Sequence, residues 1–186
     1  MSLVEIFNLK MDYLKCSSLN LEIKTNDLVV FYGENGSGKS TFIRLILKFI
    51  KPHQGFVRYS NLKISYVSEF CFIPPTLKVC EYFEVLESIF KINLDRKYLD
   101  FFEIPMHKMI KSLSKGNKQK VCIIASTISN PDLFIFDEPL SGFDDINDKN
   151  FKKFIKFLLS NNKTVLISTH KPKLFKDIAN KVVQIC

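Results

Sequence analysis

A run of eight small and polar residues has the types and spacing of a phosphate-binding loop. Its members are Gly33, Glu34, Asn35, Gly36, Ser37, Gly38, Lys39 and Ser40. They fit the pattern G-x-x-x-x-G-K-[ST] and lie between an apolar run and a helical pattern, which is the context that the pattern requires. Glycines let backbone N–H groups close around phosphate oxygens, and the helix that begins near Lys39 adds the positive end of its dipole. The run therefore predicts a site for the phosphates of a nucleotide.

The end of this loop predicts particular contacts. We expect Lys39 to meet the β and γ phosphates and Thr41 to touch the α phosphate. The Ser40 hydroxyl is expected to bind Mg²⁺, which bridges the phosphates and offsets the charge that develops on them during transfer.

Two carboxylates, Asp137 and Glu138, directly follow the apolar run of residues 133–136. They would lie at the edge of a sheet where ligands usually bind. Asp137 fits a partner of Mg²⁺ that acts through water, and Glu138 can orient and deprotonate an attacking water. Taken alone, the pair is equally typical of a solvated strand end.

A third segment, residues 113–120, places Ser114 just ahead of an apolar helix predicted at about 118–128. Serine is a favoured residue at the N-cap of a helix. On local grounds this is an ordinary capped helix.

Strands and helices alternate around these motifs. Strands are predicted at 3–9, 19–23, 28–32, 133–136, 164–168 and 182–185. Apolar residues at three- and four-residue steps from Val79 predict a helical insert between the two halves of the chain. Strands that are apolar throughout suit a parallel sheet covered on both faces, so the predicted fold class is α/β.

Composition limits the possible classes of protein. The chain has 186 residues, 46% of them hydrophobic, which predicts one domain over residues 1–186. No stretch approaches the ~20 apolar residues of a membrane span, and nothing at the N-terminus marks the chain for export, so a cytoplasmic location is expected. The net charge of +8 is spread along the chain without a compact basic block. We therefore expect no direct nucleic-acid binding.

Together the motifs resemble those of the ABC ATPase family. In that family a phosphate loop is followed by a Gln loop, a signature similar to LSGGQ, an acidic strand end, an S-G-L-D turn and a lone histidine. All six have a counterpart here in the same order, at residues 33–40, 64–69, 113–117, 137–138, 141–144 and 168–170. The resemblance covers nearly the whole chain.

The resemblance implies a fold and a dimer. The fold would be a P-loop NTPase core of parallel strands with an antiparallel β subdomain and a small helical subdomain at about 70–128. Ser114, Gly116 and Asn117 would contact the γ phosphate of ATP held by a second subunit, and Asp144 would lie at the dimer seam. The second subunit would be another copy of the chain or a homologous one.

The resemblance also implies catalytic roles and a partner. His170 would contact the γ phosphate and keep the attacking water and Glu138 in place. Tyr13 is the nearest candidate to stack on adenine, with Phe7 as the alternative. An integral-membrane transporter subunit would dock on the helical insert, holding the chain at the inner face of the cell membrane.

Two residues depart from the usual family pattern. Glu69 stands where a glutamine usually meets Mg²⁺, and it would add negative charge beside the metal. Asn117 is shorter than the usual residue at its position. The Glu69 loop and the Ser-Lys-Gly-x-Lys-Gln signature resemble those of ATPases that drive export of drugs or bacteriocins, so export is expected.

Two other functions fit the same motifs. One is an ABC ATPase without a transporter, acting on nucleic acid, ribosomes or cofactor assembly. The other is a regulatory subunit that binds ATP but hardly hydrolyses it, which the departures at Glu69 and Asn117 suggest.

Overall fold

A computed structural model of the protein describes residues 2–10, 18–59 and 61–185. Its strands are β1 (Ser2–Lys10), β2 (Leu19–Lys24), β3 (Leu28–Tyr32), β4 (Gln54–Arg58), β5 (Ile64–Val67), β6 (Leu133–Asp137), β7 (Thr164–Ser168) and β8 (Lys181–Gln184). Its α-helices are α1 (Lys39–Ile46), α2 (Val79–Phe90), α3 (Lys115–Ala125) and α4 (Asp145–Ser160). Short 3-10 helices lie at Arg96–Phe101, Ile110–Ser112 and Pro172–Phe175.

The strands form two sheets. A five-stranded parallel sheet has the order β5-β6-β7-β3-β8, and a three-stranded antiparallel sheet has the order β2-β1-β4. The α/β fold class, with a parallel core and an antiparallel sheet, is confirmed. The phosphate loop and the acidic pair both follow central strands, β3 and β6, so the order of strands brings the two motifs to one edge.

The parallel sheet is covered on both faces, as its apolar strands predict. Side chains of one strand alternate between two hydrophobic clusters. On β6, Phe134 and Phe136 belong to the cluster that includes α3 and α4, whereas Leu133 and Ile135 belong to the cluster that includes α1. A strand buried on both faces needs apolar residues at every position, which is why no period-two pattern is visible in the sequence.

The helical insert contains less α-helix than its pattern predicts. Helix α2 matches the apolar periodicity from Val79, but the stretch that follows forms two short 3-10 helices and loops. Helix α3 begins at Lys115, three residues before the predicted start, with Ser114 as its N-cap. Strands β4 and β5 are missing from the predicted elements, because the side chains of β4 are mostly exposed and those of β5 are mostly half-buried, so neither gives a clear apolar signal.

None of the helices in the described ranges 2–10, 18–59 and 61–185 is long and apolar enough to cross a membrane.

An aromatic cluster joins α4 to the insert and to β6. Phe154 on α4 is fully buried, and its ring centroid lies between 5.6 and 6.3 Å from those of five neighbours. These neighbours are Tyr98, Phe101, Phe102, Phe136 and Phe151. The packing of α4 against the sheet therefore depends heavily on this ring.

Replacing Phe154 with alanine is expected to lower the free energy of unfolding by about 3–5 kcal/mol, because a large buried ring is lost and a cavity remains. Chemical denaturation followed by circular dichroism measures the change. The control is Phe72→Ala, whose side chain is 92% exposed and should change the value by less than about 0.5 kcal/mol. Equal effects of the two substitutions would contradict this account of the core.

Candidate nucleotide site

The phosphate loop connects β3 to α1 and depends on glycine at three of its positions. Gly36 has φ of 82° and Gly38, the N-cap of α1, has φ of 99°. These values lie in the left-handed region, which side chains disfavour. Gly33 is required for another reason: a Cβ there would lie 2.1 Å from the carbonyl oxygen of Ile185.

A cavity of about 510 Å³ lies beside this loop. It is lined by Asn35, Gly36, Gly38, Lys39, Ser40, Thr41, Glu69 and Glu138. Residues that are distant in sequence, from the loop, the segment after β5 and the end of β6, therefore meet around one space. The structure brings these predicted site residues together.

The Lys39 ammonium is buried at the base of the cavity. Nζ donates hydrogen bonds to the carbonyl oxygens of Gly33 (2.9 Å) and Glu34 (3.0 Å). It also lies 3.3 Å from Oε1 of Glu138. Loop carbonyls and one carboxylate thus hold a cation at the position from which it can reach bound phosphates.

Glu138 has an unusual backbone and one carboxylate oxygen without a hydrogen bond. Its φ is 48°, and its N–H donates to both the hydroxyl (3.0 Å) and the carbonyl oxygen (3.1 Å) of Ser168. Oε2 lies 3.0 Å from Nδ1 of His170. Oε1 is buried beside the Lys39 ammonium and accepts no hydrogen bond from the residues that the structure describes. One carboxylate oxygen is therefore held by His170, and the other has an ion pair but no hydrogen bond.

The Asp137 side chain is nearly fully buried. Its Oδ1 accepts a hydrogen bond from the Ser168 hydroxyl at 2.5 Å, and its Oδ2 accepts one from the Tyr66 hydroxyl at 3.3 Å. Burial, together with the charge and the hydrogen bond of Asp137, raises the pKa of Tyr66 to about 12. The two adjacent carboxylates therefore have different surroundings, one fixed between hydroxyls and the other beside the cavity.

The side-chain oxygens around the cavity fit a Mg²⁺ site only when the phosphates of a nucleotide supply further ligands. Within the described part of the chain, no three His, Cys, Asp or Glu side chains are placed to hold a metal ion. Mg²⁺ normally keeps several waters and binds one or two protein oxygens in addition to substrate phosphates. Ser40 and Glu69 line the cavity and can supply such oxygens, whereas Asp137 is not among its lining residues.

The predicted trans residues do not line this cavity. Ser114 accepts a hydrogen bond from the N–H of Asn117 at 3.3 Å, as an N-cap does. At Gly116 an added Cβ would lie 2.6 Å from the carbonyl oxygen of Gly142. The start of α3 therefore packs backbone to backbone against the turn at 141–144.

Asp144 ends this turn and caps α4. Its Oδ1 accepts hydrogen bonds from both the N–H and the side-chain amide of Asn147. The first of these bonds is the main cause that lowers the pKa of Asp144. The predicted dimer-seam residue is thus a fixed, charged helix cap.

Of the two candidates for adenine stacking, Tyr13 lies outside the described residues. Phe7 is 59% exposed and stacks on Phe56 with ring centroids 5.5 Å apart. It does not line the cavity beside the loop.

Sequence reasoning gave no role to Ser168, Tyr66 or Lys115. Ser168 joins the two carboxylates, and Tyr66 bonds to Asp137. Lys115 lies with Nζ 3.8 Å from Glu69 and donates to the Ser141 hydroxyl at 2.6 Å. The sequence signal for Ser168 is its position directly before Thr169 and His170. It ends β7, which lies beside β6 and therefore beside the two carboxylates.

A parallel sheet, a glycine loop that opens a helix, and an acidic strand end beside a cavity define a P-loop nucleotide-binding protein. The sequence profile of the ABC transporter family matches residues 16–141, more than half of the chain. The chain belongs to that family, as one of its ATP-binding ATPase chains.

Individual relatives agree with this assignment. The zinc import ATP-binding protein ZnuC of Rickettsia prowazekii is 35% identical over 179 residues, covering 91% of this chain and 75% of that protein. The ABC transporter ATP-binding protein MJ1023 of Methanocaldococcus jannaschii is 32% identical over 173 residues, covering 89% of this chain and 66% of that protein. A dimeric ATP-binding cassette solved with ADP and Pi shares the fold, with a TM-score of 0.82, 23% identity and coverage of 98% of this chain and 94% of that one.

The raised pKa of Tyr66 predicts alkaline sensitivity. Its phenol remains protonated in the folded protein up to about pH 12, whereas in the unfolded chain it ionises near 10. Stability from this group is therefore complete below pH 10 and is lost as the pH rises toward 12.

Tyr66→Phe is expected to remove part of this loss, on the order of 1 kcal/mol after allowance for solvent screening of a half-buried group. Urea denaturation of both proteins at pH 9 and at pH 11 measures the difference. If wild type and Tyr66→Phe lost the same stability between these two values, the phenol would not be the source.

Proposed function

We propose that this chain is the ATP-binding and hydrolysing subunit of an ABC transporter, in which ATP closes a dimer and hydrolysis reopens it beneath a membrane partner. The observation that carries the proposal is the arrangement at Glu138. One carboxylate oxygen contacts His170, and the other is buried at the edge of the phosphate-loop cavity, where it faces Lys39 and accepts no hydrogen bond within the described part of the chain. A buried carboxylate oxygen that accepts no hydrogen bond calls for an explanation, and a general base awaiting its water provides one.

Each side chain of the site then has a task. The loop N–H groups and the start of α1 bind the phosphates, and Lys39 neutralises charge on the β and γ phosphates. Glu138 accepts a proton from the attacking water at Oε1, while His170 holds Oε2 and fixes the plane of the carboxylate. When bound through Ser40, Glu69 and a water on Asp137, Mg²⁺ supplies further neutralisation of phosphate charge.

Catalysis is proposed to need two subunits. Ser114, Gly116 and Asn117 at the start of α3 form an N-terminal anion site that does not line the chain's own cavity. Such a site can serve the γ phosphate of a second chain. The cassette with ADP and Pi, which has the same fold, was solved as a dimer. Asp144 is placed at the seam between the two chains.

A second cavity, of about 300 Å³, is proposed to receive the membrane subunit. It lies between the segment after β5 and the helices α2 and α3, and is lined in part by Phe72, Tyr82 and Leu86. The Phe72 side chain is 92% exposed, and that of nearby Phe70 is 66% exposed. Large exposed apolar groups around a groove are typical of a site for another protein. This partner would hold the chain at the inner face of the membrane.

Export, the direction of transport expected from the sequence motifs, gains no support from the relatives. The loop at Glu69 and the signature predicted export, but relatives from Bacillus subtilis and two Rickettsia species are named for zinc uptake or import. Those names give export no support.

The regulatory alternative, binding without turnover, rested on Glu69 and Asn117. Lys115 lies 3.8 Å from Glu69, so a cation offsets the extra charge beside the metal position. The cap of α3 forms with Asn117 in place, because the contact uses its backbone N–H. The geometry therefore favours an active site.

Purified protein is expected to hydrolyse ATP in the presence of Mg²⁺ at a rate that rises more than linearly with protein concentration, because the active form is a dimer. Glu138→Gln should reduce kcat by about 100-fold or more, since the base is lost, and should accumulate as an ATP-bound dimer. Release of phosphate and light scattering provide the two measurements.

The matched control is Glu84→Gln, an exposed glutamate on α2, which should leave both rate and dimerisation unchanged. A rate proportional to concentration, with no dimer in Glu138→Gln, would contradict the two-subunit site. ATP binding without hydrolysis in wild type and also with the co-purified membrane subunit would favour the regulatory alternative.

The docking groove gives a separate prediction. Phe72→Asp should release the chain from the membrane fraction of its source cells without changing the ATPase rate of the free subunit, because an exposed apolar contact becomes charged. The control Phe56→Asp alters an exposed phenylalanine on the antiparallel sheet, away from the groove. Immunoblotting of membrane and supernatant fractions measures the release, and equal release by both variants would exclude this groove as the specific site.

A further inference from the structure

An ion pair with a buried carboxylate links the residue after His170 to the first turn of α4. Nζ of Lys171 donates to Oδ2 of Asp148 at 2.6 Å. The Asp148 side chain is only 8% exposed, whereas that of Lys171 is 39% exposed. Within the described residues the other oxygen of Asp148, Oδ1, is buried and has no hydrogen-bond partner. The attachment of this carboxylate therefore depends on Lys171.

The segment that carries His170 is fixed on both sides. Before it, Thr169 is fully buried, and its N–H donates to the carbonyl oxygen of Phe31 at the end of β3. After it, the N–H of Lys171 donates to the Thr169 hydroxyl at 3.0 Å, and the Lys171 side chain reaches Asp148. The His170 side chain itself is 54% exposed, and its Nδ1 contacts Glu138. Its position is thus determined by its neighbours in the chain.

On the other side of the ion pair lies the start of α4. The N–H of Asp148 donates to the carbonyl oxygen of Asp144 at 2.9 Å, which is the first turn of the helix. A carboxylate in the first turn of a helix interacts favourably with the helix dipole, and Lys171 meets Asp148 at this position. Asp144, one turn earlier, is the residue proposed at the dimer seam.

We infer that Asp148 and Lys171 are positioning residues for ATP hydrolysis, whose ion pair holds His170 against Glu138 and connects it to the helix start at the dimer seam. The inference rests on the proposed function. It assigns the pair a role beyond packing, because Lys171 directly follows His170 and its side chain links this segment to α4. A small misplacement of a catalytic group is enough to reduce the rate strongly.

Four variants separate positioning from stability. Lys171→Met leaves a buried charge unpaired and removes the tether. Asp148→Leu combined with Lys171→Met removes the tether but leaves no unpaired charge, and such apolar replacements of buried pairs are often neutral for stability. Lys171→Arg keeps the ion pair. Lys152→Met is the matched control, because it breaks another lysine–aspartate pair of α4, with Asp177, that does not involve residues 169–171.

The steady-state ATPase rate, the KM for ATP and the melting temperature are measured for each protein. We expect Lys171→Met to lower kcat about 10-fold or more with KM changed less than 2-fold. The double variant should melt near the wild-type temperature and still have the low kcat. Lys171→Arg should keep at least half of the wild-type kcat, and Lys152→Met should match wild type.

Recovery of kcat together with the melting temperature in the double variant would overturn the inference, because the pair would then act on stability alone. An unchanged kcat in Lys171→Met would overturn it as well. Failure of the proposed function has a different signature, namely wild-type protein that does not hydrolyse ATP at all, alone or with its membrane partner.

Discussion

The hydroxyl of Ser168 makes the connection on which the rest of the site depends. It is fully buried between the ends of β6 and β7, where it donates to Asp137 and accepts from the N–H of Glu138. Through these two bonds one side chain fixes a carboxylate and also the left-handed backbone of the next residue. Glu138 can leave the line of the strand and turn toward the cavity because its N–H is satisfied in this way.

From this connection the site extends in two directions. Toward β3, Glu138 lies against the Lys39 ammonium, which the phosphate loop holds with its own carbonyls. Toward α4, Glu138 contacts His170, whose segment is tied to the buried Asp148. Parallel strands make this possible, since their carboxyl ends meet at one edge and the residues that follow them are brought together.

The sequence alone was sufficient to predict the parts of the site that depend on a local pattern of residues. Gly36 and Gly38 need φ values that glycine permits, and the cap at Ser114 involves only the three residues that follow it, so the phosphate loop and this N-cap could be predicted from the sequence. The contacts of Ser168 with Glu138 and of Lys115 with Glu69 could not be predicted, because each joins residues 30 or more positions apart. Such pairs depend on strand order and on where a loop returns, and a single sequence contains no period or spacing that encodes them. The 3-10 helices after α2 were not predicted for a related reason. The spacing of a few apolar residues does not distinguish an α-helix from a 3-10 helix or a loop that packs on the same core.

The contact between Gly116 and Gly142 has a mechanical consequence. A Cβ on Gly116 would overlap the carbonyl oxygen of Gly142, so the start of α3 and the 141–144 turn approach each other with their backbones close together. Side chains absorb small displacements by changing rotamer, but a backbone contact has no such freedom. The absence of a Cβ at both positions therefore couples a displacement of the start of α3 to the turn, and Asp144 joins the turn to α4.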